Sequence, residues 1–434
     1  MPLLASIGRG RTAGALIALA CSAALVLTGC GRADTAPAAT AAAAAAAIDD
    51  SPATGVVDIW APSGDANNLD ALLGDFRSGN PDATVNVTVI PTNEYAQKIQ
   101  AAIASDTLPD VVLVKADGSL LSGTWSPVPD DLVDLADFFP GTLALGQVDD
   151  IQYLVPWYNN VRLIVYRSDF AEAAGVNPPT TWDEWIPFLS ALREGGAAQA
   201  FGADVAWDSN TGLFLATLGF SAGAELVSDD GTSWQIDTPE MKAAFEQYAS
   251  FFTDGLTSPD GPGFLDQVAT FVSGDIGSLV TGPWVLSQLD AAAGSDWVDA
   301  NVRVAVLPAG PAGSVGALVG GGWTVSESSD NADSAWKVIR YLGQVDTELA
   351  QYTGFGSLPP RPTAWSDGGL TEDAHLEPFF AQMDSSVAPP NAATWNQITT
   401  MLGGQAEKLV RGGVSVDEVL TEAQSLADSI GTGK

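Results

Sequence analysis

Thirteen tryptophans stand in this chain, and those best placed for chemistry lie at the ends of apolar segments instead of inside apolar stripes. Trp60 closes the run Val56-Val57-Asp58-Ile59 and precedes the turn Pro62-Ser63-Gly64-Asp65. An indole offers a flat apolar face and one N–H donor, and Ser63 and Asp65 add a hydroxyl and a carboxylate beside it. Together they suit a ligand with C–H faces and a rim of hydroxyls, held without covalent chemistry. Core packing is the competing reading of any one such tryptophan. Other chemistries have fewer candidates. The lone histidine, His375, argues against a His-based metal centre or a Ser-His-Asp triad. The two cysteines, Cys21 and Cys30, both stand near the amino terminus, so nothing beyond them can form a disulfide or a thiolate metal site. No metal and no cofactor is expected. The 53 Asp and Glu leave a carboxylate-pair glycosidase open by count alone.

A site built from Trp60 and its turn needs a scaffold that presents strand ends to solvent. The segment after Val56 reads that way. Val56 to Trp60 is a strand, and Leu69, Leu72, Leu73 and Phe76 recur at helical spacing until Gly79-Asn80-Pro81. Val85, Val87 and Val89 alternate as a half-buried strand; Tyr95, Ile99 and Ile103 mark a helix, and Val111 to Val114 a short apolar strand. This βαβαβ order predicts a mostly parallel sheet covered by helices, with ligands at its carboxyl edge. Further on, Thr181 and Glu184 read as a capping box, Thr238-Pro239 as a helix start, and Ser415 with Glu418 as a second capping box. Trp182, Trp185 and Trp336 fall on helices among apolar neighbours and are assigned to cores.

The charge balance, 17 Lys and Arg against 53 Asp and Glu, gives a net −36, which repels nucleic acid and anionic lipid. At the amino end, Arg9 and Arg11 precede an apolar run from Ala13 to Thr28, the order of a secretory signal and short for a membrane span. Leu27-Thr28-Gly29-Cys30 resembles a bacterial lipobox, which implies cleavage after residue 29 and acylation of Cys30. Residues 30–53, rich in Ala, Thr and Pro, hold little to bury and are expected to form a flexible tether.

Several stretches, in order, resemble the sugar-binding branch of ABC-importer solute-binding proteins, the maltose-binding-protein-like family. They are NEYAQKIQAAIASDTLPDVVLV, VPWYNNVRLIVYRSDFAEAAGVNPPTTWDEW, FVSGDIGSLVTGPWVLSQL and GGGWTVSESSDNADSAWKVIRYL. The resemblance implies an α/β fold of two lobes, each a mostly parallel sheet flanked by helices, with a ligand cleft between them. Lobe 1 would hold residues 54–158 and 308–356, lobe 2 residues 159–307 and 357–434, with crossings near 157–162, 304–312 and 356–362. It also implies no enzymatic activity, a sugar ligand, a permease partner, and a monomer lipid-anchored to the outer face of a bacterial cell membrane. Trp284 and Trp395 match family positions that stack on the sugar; Trp323 and Trp207 match aromatic positions of the cleft more loosely. Asp117 falls where the family carries a sugar-binding acid. Asn160 replaces a glutamate of maltose-binding proteins and adds a donor, and Val114 replaces a tryptophan of some members, so the sugar expected is neutral but need not be a long maltooligosaccharide. Packing for the tryptophans, a solvated turn for Asp117 and a structural crossing amide for Asn160 remain open. The same fold with a polyamine or a glycerophosphodiester ligand is the alternative, with Lys115 and Arg361 as the nearest cations for the latter.

Overall fold

The computed structural model describes residues 47–63, 68–115, 124–202, 206–261 and 266–434. The expected leader, Cys30, Asp65 and Asp117 lie outside the described residues. The strands are β1 (Gly55–Pro62), β2 (Ala83–Ile90), β3 (Val111–Lys115), β4 (Gln147–Val148), β5 (Ile151–Gln152), β6 (Val155–Asn160), β7 (Leu163–Arg167), β8 (Ser278–Thr281), β9 (Val302–Ala305), β10 (Gly316–Ala317), β11 (Val319–Val325) and β12 (Ser386–Val387). The helices of ten residues or more among the described residues are α1 (Thr92–Ser105), α2 (Trp182–Gly195), α3 (Ser209–Ala222), α4 (Pro239–Thr253), α5 (Trp284–Ala293), α6 (Ala332–Leu342), α7 (Val345–Phe355), α8 (Trp395–Gly412) and α9 (Val416–Ile430).

In β1 the period of two is visible: Val57, Ile59 and Ala61 are closed to solvent while Asp58 is exposed and Trp60 half-buried. The first sheet has the order β2-β1-β3-β11-β6. β1 runs parallel to β2 and β3, and β11 runs antiparallel to both β3 and β6. β1, β3 and β6 therefore end on the same edge. The second sheet, β8-β7-β9, is antiparallel at both of its pairings, with parallel bridges from Gln199 and Gly202 to Ile276 and Leu279. It is mixed in direction where a mostly parallel sheet was expected. β8 and β9 reach β7 through long helical excursions, which impose no strand direction as a short βαβ crossover does.

One apolar core lies under the first sheet, where Val57, Ile59, Val111, Trp157, Trp323 and Trp336 meet. On that sheet's other face Tyr95 and Ile99 of α1 cover Val112 and Val114. The largest core gathers β7 with Trp185, Phe201, Phe245 and Trp395. The chain passes between the two sheets from Asn160 to Leu163 and again between β9 and β11, and the segment at Leu358 bridges to Asn159 at the end of β6. In the last, Leu358 accepts from Asn159 N at 2.9 Å and donates to Asn160 Oδ1 at 3.1 Å.

The expected tether reaches the folded part earlier than residue 53. Asp49 holds the Lys337 ammonium at 2.7 Å, Arg340 donates to the carbonyls of Ile48 and Asp49, and Ala53 N donates to Asn80 Oδ1. Charge pairing with α6 fixes a segment whose composition alone has nothing to bury.

Candidate functional site

The strand directions assemble the site. Because β1, β3 and β6 share an edge, Ser63, Lys115 and Asn160 line it together. Leu163 of β7 pairs with Thr281 of β8, so the turn Gly282-Pro283-Trp284 begins opposite the residue that joins the two sheets, Arg162. Carboxyl edges of α/β sheets are where ligands bind.

Each aromatic candidate has a definite place on this frame. Trp284 opens α5, half-buried, and its ring lies directly on Gly282: a Cβ there would come within 2.0 Å of the indole. Trp60 is half-buried above the α1 face of the sheet, and the Lys98 ammonium lies 4.9 Å from its ring centroid. One face of that indole is thus occupied by a cation. Trp207 precedes α3 with φ 58, a left-handed conformation rare for a bulky residue. Its ring sits 6.1 Å from Phe252 and 5.6 Å from the Arg411 guanidinium. Trp395 begins α8 but is buried, stacked 6.1 Å from Trp234 at 29°. Trp323 is 0% exposed and meets Trp157 edge-on at 5.6 Å. These last two present packing surfaces, and Trp323 offers a ligand no face.

Among the polar candidates, Ser63 lies 3.4 Å from the Thr92 hydroxyl. Asn160 is buried with its Oδ1 engaged by Leu358 N, as a crossing amide would be. Arg361, nominated above as a cation for a phosphodiester, is committed elsewhere: it is buried against Glu348 at 2.7 Å. Sequence reasoning passed over Arg162, whose guanidinium donates to Asn210 Oδ1 at 2.6 Å, and Asn210, whose backbone N donates to the N-cap Asp208. A lone arginine inside the apolar run VRLIVY was the available signal.

The helices behind the site are pressed together. A Cβ on Gly212 of α3 would fall 1.8 Å from Thr399 O, and one on Gly403 of α8 would fall 2.1 Å from Asp208 O. Glycines at both positions let α3 and α8 touch backbone to backbone, which sets where Asn210 and Trp395 stand. A separate cavity of about 410 Å³ flanks α5, lined by Pro283, Ser287, Asp290, Tyr352 and His375 among others. Burial pushes the Tyr352 phenol up to about 12, and His375 Nε2 lies 3.1 Å from Val302 O. Among the described residues no group of three or more His, Cys, Asp or Glu is arranged to hold a metal ion. No helix there is long and apolar enough to cross a membrane.

Two α/β lobes joined by crossing segments, with polar and aromatic residues at the junction, define a solute-binding architecture. A family model described as bacterial extracellular solute-binding protein matches residues 60–346, and the chain belongs to that family. It is 27% identical over 365 residues, 82% of this chain and 87% of the relative, to a binding protein of Brucella abortus. It is 26% identical over 238 residues, 52% of this chain and 55% of the relative, to the lactose-binding protein of Rhizobium radiobacter. The sugar-binding protein MalE from Xanthomonas citri superposes with a TM-score of 0.79 at 27% identity, over 87% of this chain and 97% of that one. The two-lobe fold is that of MalE-like periplasmic binding proteins.

Proposed function

We propose that this protein captures a neutral sugar or oligosaccharide at the junction of its lobes and delivers it, without chemical change, to an ABC permease. The observation that supports the reading is the Leu163–Thr281 register, by which Gly282 falls opposite Arg162, two residues beyond Asn160 at the end of β6. The names of the lactose-binding relative and of the MalE neighbour support a sugar ligand. Trp60, Ser63, Asn160, Trp207 and Trp284 are the proposed contacts, with Asp65 and Asp117 from turns outside the described residues. Trp395, buried and stacked on Trp234, is left out of the proposed contacts. Acylated Cys30 would anchor the chain to the outer face of the cell membrane.

Sites of this type bind with Kd on the order of 1 μM. A calorimetric panel of lactose, maltose and simple monosaccharides on the chain lacking residues 1–46 tests the reading. Saturable binding of a sugar without turnover is expected. Binding only of a polyamine or glycerophosphodiester would overturn the sugar assignment, and cleavage products after prolonged incubation would indicate a glycosidase. Cys30→Ala should release the protein from the membrane with sugar binding intact; a variant that stayed acylated would refute the anchor.

A further inference from the structure

We infer that one face of α1 positions Trp60 for the sugar, the Tyr95 hydroxyl holding its backbone and the Lys98 ammonium its ring. The inference rests on the sugar reading above. In the sheet order β2-β1-β3, the connection from β1 to β2 places Leu69, Leu73 and Phe76 in the core under the sheet, whereas the connection from β2 to β3 lays α1 on the other face. Helices that leave to opposite faces make β1 and β3 the switch point of the sheet, where ligands bind at the carboxyl ends of the strands. The register shows the two strands parting there. β1 pairs with β3 at Ile59–Val111 and Trp60–Val112, then stays with β2 as far as Pro62–Ile90, while β3 stays with β11 as far as Lys115–Gly321.

Tyr95 spans the parting. It is 5% exposed, and its hydroxyl lies 3.0 Å from Trp60 O and 2.8 Å from Leu113 O, so its single proton is shared between the two strands. The phenol belongs to the same apolar cluster as Ile90, Ile99 and Val112, so a strand end that drifts away loses a donor anchored on the helix. Lys98 follows three residues later on the same face of α1, with its ammonium 4.9 Å from the centroid of the Trp60 ring. Backbone and ring of one tryptophan are thus held from one helix. Trp60 is only half-buried, so these contacts fix the attitude of a ring that keeps surface for a ligand.

The test compares wild type with Tyr95→Phe and Lys98→Met, each labelled with fluorotryptophan, the Trp60 fluorine signal being the one lost in Trp60→Ala. Expected in Tyr95→Phe are a displaced or broadened Trp60 signal, an unmoved signal from Trp185 in the other lobe, a melting temperature within a few degrees of wild type, and about fivefold weaker binding of the panel sugar that wild type binds. Because the hydroxyl acts through Trp60, adding Tyr95→Phe to Trp60→Ala should weaken binding no further. Lys98→Met, an exposed change, should displace the same signal and weaken binding to a lesser degree, and it decides the matter if Tyr95→Phe does not fold. Unchanged affinity in Tyr95→Phe, or losses that add in the double variant, overturn the inference and leave Tyr95 a core residue. An unmoved Trp60 signal in the variants overturns it as well. If wild type binds no sugar at all, the sugar reading falls, while the Trp60 signal still reports whether α1 holds the ring.

Discussion

Arg361 and Glu348 form a bidentate pair with both side chains shut away from water. Nε reaches the two carboxylate oxygens at 3.0 and 3.2 Å and Nη2 reaches one at 2.7 Å, while Glu348 is 0% exposed. The guanidinium also donates to Gly343 O and lies 4.1 Å over the Phe138 ring. The pair bolts the passage that follows Leu358 to α7 and to the end of α6. Arg361→Met strands a buried carboxyl without its donor and should cost about 3 kcal/mol in urea unfolding. A melting curve identical to wild type would show that the site relaxes around the loss.

The same pair gives a pH dependence. Burial pushes the Glu348 carboxyl up, to about 8 from its ordinary 4.5, with Arg361 pulling the other way. A carboxyl that holds its proton more tightly folded than unfolded contributes stability that is complete below about 4.5 and lost as pH rises through about 8. Unfolding free energy should therefore fall across that interval by more in wild type than in Glu348→Gln, which cannot ionise. Parallel curves for the two would remove Glu348 as the source.

A hairpin turn offers a gain in stability. β4 and β5 pair as Gln147 to Gln152 and Val148 to Ile151, so Asp149 and Asp150 alone make the turn, with φ 50 and 64. Two-residue turns with both φ positive prefer Asn-Gly. Asp150→Gly should raise stability by about 0.5–1 kcal/mol, visible as a higher urea midpoint at unchanged slope. A lowered midpoint would mean that the Asp150 side chain makes a contact worth more than the strain.

The amino-terminal segment is held by charge. Hydrogen bonds from Lys337 first, and then from Ser51, hold the Asp49 carboxyl well below its usual range. A depressed carboxyl contributes above its ordinary pKa and loses that contribution as pH falls. Asp49→Asn should speed hydrogen exchange at Ala53, whose amide donates to Asn80 Oδ1, and should move the first proteinase K cut toward Ala53. Unaltered exchange would place the hold in the Arg340 contacts to Ile48 and Asp49.

The contact between α3 and α8 is equally open to test. Gly212→Ala sets a methyl against Thr399 O and Gly403→Ala sets one against Asp208 O, both backbone atoms that cannot swing aside. Each should destabilise by about 1–3 kcal/mol, read as a lowered urea midpoint. Full stability in either variant would show that the helices separate easily.

Much of this architecture was readable from the chain, and what was not has physical reasons. The β1 alternation, the Thr238-Pro239 start and the Ser415–Glu418 capping box are local, and the structure realises each. Trp185 and Trp336 are core residues, as their apolar neighbours indicated. At α2 the cap slips by one: Glu184 accepts from Thr180 N and Oγ1, and Thr181 makes no side-chain cap. Helix α3 went unread because it is buried nearly all round and has no polar stripe to mark a period. The burial of Trp323 and Trp395 depends on Trp157 and Trp234, partners distant in sequence. A tryptophan opening a segment looks the same whether it will meet a ligand or another indole.

That ambiguity makes Gly282 the most informative position near the site. Its missing side chain is the seat of the Trp284 ring, and a methyl there meets three ring atoms within 2.5 Å. The obstacle is a half-buried side chain, so the indole can tilt away while β8 and α5 stay in place. Gly282→Ala should therefore keep its melting temperature within a few degrees yet lose sugar affinity by at least as much as a lost aromatic contact, about 1 kcal/mol or fivefold. Trp284→Ala should match it, and the double variant should add little, because both remove the same stacking surface. Trp395→Ala should differ in kind: that ring is buried, so its removal should cost about 3 kcal/mol of stability before affinity is considered. Calorimetry and thermal unfolding on the four variants separate the cases. Full affinity in Gly282→Ala, with Trp284 fluorescence shifted by the displaced ring, would move the sugar away from α5.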